Sequence, residues 1–142
     1  MPKLRSVLSV LALALSAVAL VACGDDDKES TAAQESSHVS ASPAAAIAEI
    51  GEVRGLVDQA EAKVKAGDRK AADTLLGDAY LEHFEEVEGP LGKKDHELME
   101  SLEEAISTQL REKIKSGAAA TEVAPLFDEV RTNLDKAEAA LK

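Results

Sequence analysis

Aromatic side chains are nearly missing from this 142-residue chain, which has one tyrosine, two phenylalanines and no tryptophan. A core built from it must rest on leucine, valine, isoleucine and alanine. Cysteine occurs once, at Cys23, which excludes an internal disulfide, a CxxC redox pair, a thiolate zinc cluster and a c-type haem attachment motif. Runs of β-branched residues and alternating apolar–polar patterns are absent, so nothing reads as a strand. A glycine-rich phosphate loop, HExxH, GxSxG and an EF-hand loop are absent too. The serines cluster before residue 43 and near helix ends, which points away from a serine–histidine–aspartate enzyme. Basic charge is scarce, with 16 Lys and Arg against 27 Asp and Glu. That balance argues against a nucleic-acid partner and suits a cationic one, although solubility alone would also account for it.

What the chain does have begins with "MPKLRSVLSVLALALSAVALVACGDDD". Lys3 and Arg5 precede an apolar run from Val7 to Ala22 that ends in small residues, the layout of a secretory signal peptide over residues 1–22. Leu20-Val21-Ala22-Cys23 resembles a bacterial lipobox, which implies diacylglycerol attached to Cys23. Two acyl chains anchor stably where one would be marginal. The expected location is the extracytoplasmic face of a membrane in the cell envelope. Residues 23–42 are rich in Ser, Ala, Asp and Glu, too polar to offset their ordering entropy, and read as a flexible acidic tether. His38 falls in that tether and is read as inert.

Residues 43–142 show helical period throughout, and the expected fold is all-α: an antiparallel up-down four-helix bundle. Ser42-Pro43 offers an N-cap with proline at the first helical position. A stripe of Ile47, Ile50, Val53, Val57, Ala60 and Val64 follows and ends at Gly67. Asp68 caps a second helix with Ala72, Leu76, Ala79, Tyr80, His83, Val87 and Leu91 on one side, interrupted or ended by Gly89-Pro90 and Gly92. Asp95 caps a third, with Leu98, Met99, Leu102, Ile106 and Leu110, stopping near Ser116-Gly117. The fourth carries Val123, Leu126, Phe127, Val130, Leu134, Ala137 and Leu141, with Pro125 expected in its first turn. Gly51, Gly55 and Gly77 fall inside helices, at about 1 kcal/mol each relative to alanine, and read as close-packing points.

The stretch "YLEHFEEVEGPL", residues 80–91, holds two of the three aromatics, a histidine and four glutamates. An unbroken helix advances about 100° per residue. That projection puts Tyr80, His83 and Val87 in the core, Phe84 on its edge, and Leu81, Glu85 and Glu88 outward. Three readings fit the outward pair. One is a solvated charged face. Another is a metal site in which Glu85 and Glu88 hold a divalent or ferric cation, with His96, Glu97 or Glu100 as further ligands. The third is a docking surface, with Leu81 as an apolar contact rimmed by acids. His83 reads as a core histidine bonded to a neighbour, because the facing stripes offer only Gln109, Lys113 and Asn133 as company.

The arrangement Asp78-Ala79-Tyr80-Leu81-x-x-Phe84-Glu85-x-Val87-Glu88-x-x-Leu91 resembles the helical extracytoplasmic region of the oxidase-dependent iron permease family. "KKDHELMESLEEAI" and "KSGAAATEVAPLFDEVRTNLDKAEAAL" look like its continuation, so the resemblance spans roughly residues 50–141. It implies an envelope protein linked to iron or another divalent cation, docking on a metal-uptake permease or another envelope protein. The carried-over positions are Tyr80, Phe84, Glu85, Glu88 and Leu91. The chain departs from the family in lacking permease membrane segments and their Arg-Glu-x-x-Glu iron motif, so it cannot transport alone. Glu86 also stands where the permeases often carry proline. A ligand-free interaction or structural lipoprotein is the alternative.

Overall fold

The computed structural model describes residues 41–142, whose regular structure is entirely helical and forms four rods. The expected signal peptide over 1–22, the expected lipid attachment at Cys23 and all but the last two residues of the expected 23–42 tether lie outside the described residues. The first rod is α1 (Pro43–Lys65). The second runs through α2 (Arg69–Asp78), a π-helical turn (Ala79–Phe84) and α3 (Glu85–Gly92). The third runs through α4 (His96–Glu104), a second π-helical turn (Ala105–Gln109) and α5 (Leu110–Lys115). The fourth is α6 (Ala120–Leu141).

Short polar side chains set where the rods begin. Ser42 Oγ accepts from the Ala45 N–H at 3.2 Å, Asp68 from Ala71 at 3.1 Å and Asp95 from Leu98 at 3.0 Å. Each satisfies a donor that has no partner within the helix. Gly67 and Gly117 end α1 and α5 at φ of 80° and 81°, where a Cβ would be strained. The fourth rod starts earlier than its apolar stripe suggested. Glu122 reaches back to the Ala119 N–H at 2.7 Å, so the helix begins at Ala120 and Pro125 sits beyond the first turn. Gly89 and Pro90 do not interrupt the second rod, which continues to Gly92.

The core follows the expected composition: Ile50, Val53, Val57, Leu76, Leu102, Ile106, Leu110, Val130 and Leu134 are fully buried, with Phe84 and Phe127 the two largest members. The rods pack mutually, α1 against α2, α3 and α6, and α2 against α5. The core side chains of the described residues lie between Ala46 and Leu141, come from all four rods and belong to one compact unit.

Two glycines do not do what the sequence suggested. Gly51 and Gly55 are exposed, and a Cβ at either would meet nothing within 4 Å. They are not close-packing points. Gly77 is buried, and a Cβ there would touch the Arg111 guanidinium at 3.7 Å.

Candidate functional site

The first π-helical turn decides which way "YLEHFEEVEGPL" faces. The Glu85 N–H bonds to the Tyr80 carbonyl, five residues back instead of four. Buried positions accordingly run Leu76, Ala79, then Phe84, Val87 and Leu91, with a step of five at the turn. One extra residue rotates everything after it by about 100° relative to an unbroken helix. Phe84, expected at the core edge, is completely buried. His83, expected in the core, is displaced to its rim. There its Nδ1 lies 2.8 Å from Glu49 Oε2 on α1, with a quarter of the side chain exposed. Leu91 is in the core as expected.

The same rotation corrects Glu88. It does not point outward beside Glu85: Glu88 is half-buried while Glu85 stays exposed. Glu88 Oε1 is sealed from solvent and has no hydrogen-bond partner. Burial pushes the Glu88 carboxyl above the usual carboxylate range, the negative charge of Glu103 adds to this, and a hydrogen bond from Tyr80 only partly offsets them.

Tyr80 packs its ring 6.3 Å from that of Phe84 and sends its hydroxyl to the rim. The O–H donates to Glu103 Oε1 at 3.4 Å. One hydroxyl proton cannot fully serve both Glu88 and Glu103. Burial, together with the neighbouring charges of Glu88, Glu103 and Glu85, pushes the phenol up to about 12. The site is thus a phenol between two carboxylates, with Glu85 close enough to be felt by both Tyr80 and Glu88.

Glu103 was missed in the sequence. The signal was its place beside Leu102 on α4, on the flank that meets the second rod. The other candidate ligands are not brought here: His96, Glu97 and Glu100 are exposed, and His96 pairs with Glu100 one turn along at 3.2 Å. Gln109 and Lys113 are exposed, and Asn133 is buried with its amide 3.4 Å from Ser101 Oγ. Among the described residues, no three of His, Cys, Asp and Glu are grouped so as to hold a metal ion.

The surroundings of the site are strongly polarised. Residues 78–104 hold ten acidic side chains and two lysines, a net −8, whereas 43–77 and 105–142 together hold twelve acidic and eleven basic ones. Every ion pair to lysine or arginine among the described residues lies outside 78–104. Arg54 meets Asp135 at 2.6 Å, Arg111 meets Asp73 at 2.7 Å, and Arg131 meets Asp58, Asp128 and Glu61. Solubility needs net charge but does not need it concentrated on one helix pair, so the concentration argues for a cation. Leu81, on the same rod, is the one exposed large hydrophobic side chain among the described residues, at 61 %.

Among the described residues no helix is long and apolar enough to cross a membrane. No protein-family model, curated protein or solved structure matches this chain.

Proposed function

We propose that this protein is a lipid-anchored, extracytoplasmic helical accessory protein that binds a metal cation at the Tyr80–Glu88–Glu103 site, with Glu85 at its rim. The observation that carries the reading is the sealed, unpartnered Glu88 oxygen placed among like charges. A buried acceptor without a donor costs about 1–3 kcal/mol, and a cation removes both that cost and the repulsion. Oxygen-only donors favour a hard ion, divalent or ferric. Side-chain rotation of Glu85, Glu88 and Glu103 would be needed to bring their oxygens around one ion. The resemblance to the extracytoplasmic region of oxidase-dependent iron permeases points to iron and to a metal-uptake permease as the membrane partner. Nothing in the site resembles a catalytic constellation, and the reading is of a binder without enzyme activity.

The fold proposed to carry the site is an antiparallel up-down bundle. Its support is the ion-pair order: Arg54 on α1 meets Asp135 and Glu138 on α6, while the later Asp58 and Glu61 meet the earlier Arg131. A second reading, an envelope interaction module without a ligand, is favoured by the exposure of Leu81.

Titration calorimetry with ferrous, ferric, manganous, zinc, copper and calcium ions separates the two. The cation reading expects binding tighter than about 1 mM, lost in Glu88→Gln with Glu103→Gln. Heats that are absent for every ion, or unchanged in that variant, would sink it.

A further inference from the structure

The solvent face of the second rod carries two features that complement each other, and neither belongs to the carboxylate–phenol site. At its start, between the end of α1 and the beginning of α2, lies a cleft of about 500 Å³. Ala71, Thr74 and Leu75 line its floor, with Lys63 on one wall and Lys70 on the other. Neither lysine has an ion-pair partner among the described residues; Gln59 and Asp68 complete the lining, and the Asp68 carboxylate also caps Ala71, leaving the cleft two lysines against one carboxylate. Further along the same rod stands Leu81, 61 % exposed, with the exposed carboxylates of Glu82 and Glu86 beside it. A protruding apolar side chain rimmed by acids is the inverse of an apolar floor rimmed by lysines.

We propose that the second rods of two copies of this chain pair antiparallel about a twofold axis, each Leu81 seated in the other copy's Lys63–Lys70 cleft. Spacing along the helix supports the arrangement. At 1.5 Å per residue, Thr74 and Leu81 lie about 10 Å apart and Lys70 and Glu86 about 24 Å apart, both intervals centred on residues 77–78. A twofold axis there brings Leu81 over the partner's Thr74 and Leu75, and brings Glu82 and Glu86 to the partner's Lys70. Both contacts occur twice and the pairing closes at two copies, with the two Asp78 side chains beside the axis as its one like-charge approach.

Each copy nevertheless carries a large negative charge, which opposes association at long range. Salt screens that repulsion beyond about 8 Å at physiological strength while leaving the contact pairs largely intact. A single helix-on-helix patch lies at the small end of specific interfaces, the class of weak and transient association.

Sedimentation equilibrium of residues 41–142, and of the full chain in detergent, provides the test. Self-association to a dimer, strengthened between very low and physiological salt, is the expected result. Leu81→Asp, which loses the burial of one leucine, weakens it about tenfold or more. Lys63→Glu with Lys70→Glu does the same, and adding Glu82→Lys with Glu86→Lys restores it, because the swap regenerates the complement in both copies. Glu85, Glu88 and Glu103 are untouched throughout, and circular dichroism confirms that each variant is folded. A monomer at concentrations up to about 1 mM, open-ended growth beyond two copies, or a charge swap that fails to rescue would overturn the proposal.

Discussion

Replacing Glu88 by glutamine should make this protein more stable, which is unusual for a change to a half-buried side chain. Ionised Glu88 faces the charges of Glu103 and Glu85 from a partly buried position, with one oxygen unpartnered. Two like charges 4 Å apart repel by about 1 kcal/mol in water and about 4 kcal/mol at an effective dielectric constant of 20. Glu88 retains access to solvent, so the lower figure applies. Glutamine removes that repulsion and offers Glu103 an N–H donor in its place. The expected gain at pH 7 is about 1 kcal/mol, or roughly 4–8 °C in Tm for a domain of this size.

The pH dependence gives the reasoning a second handle. The folded-state pKa of Glu88 is raised, so the folded state binds the proton more tightly than the unfolded state does. The penalty is fully present above the folded pKa, shrinks as pH falls through it, and is gone below the ordinary value of 4.5. Urea unfolding of both proteins at pH 7 and pH 4 measures the difference. If Glu88→Gln is neutral or destabilising at pH 7, or gains equally at both pH values, the repulsion argument is wrong.

Other perturbations read other parts of the account. Gly51→Ala and Gly55→Ala should each stabilise by about 1 kcal/mol in thermal melts, since the added methyl meets nothing and the helix loses a flexible residue. Phe84→Ala should cost about 3–5 kcal/mol in denaturant unfolding, because the wide turn places that ring fully in the core. Arg131→Ala should cost about 1–2 kcal/mol by breaking a three-carboxylate network that ties α6 to α1. Burial alone would raise the Glu61 carboxyl, but Lys65 and Arg131 outweigh it and hold the group below its ordinary value of 4.5. The stability from that pairing is therefore present above pH 4.5 and lost as acid protonates the group. Arg131→Ala should accordingly flatten the acid limb of a stability–pH curve.

Most rod boundaries were legible because they are written locally, the exceptions being the start of the fourth rod and the passage of the second through Gly89-Pro90. Ser42, Asp68 and Asp95 cap from their own side chains, and Gly67 and Gly117 end helices by backbone geometry. The all-helical class followed from the same local periods. The orientation of residues 83–88 was not legible, because a π-helical turn has no compositional mark. Its hydrogen bonds differ from α by a single residue, and tertiary packing of Phe84 chooses between them. From that one residue follow three misplacements: His83 out of the core, Phe84 into it, and Glu88 turned in beside Tyr80. Tyr80, expected in the core, packs its ring against it and keeps its hydroxyl at the rim. Glu103 required knowing which flank of α4 meets the second rod, a fact no single helix contains.

The central claim, that Tyr80, Glu88 and Glu103 form a cation site, has a direct optical test. Tyr80 is the only tyrosine and there is no tryptophan, so light absorbed in the tyrosine band belongs to one residue at the site. Terbium is a hard trivalent ion that takes oxygen ligands and emits when a neighbouring aromatic transfers energy to it. Titrating terbium into the protein while exciting Tyr80 should give saturable emission, displaced by ferric or divalent ions and abolished in Glu88→Gln with Glu103→Gln. Saturating terbium without tyrosine-sensitised emission, or emission that survives in the double variant, would contradict the account.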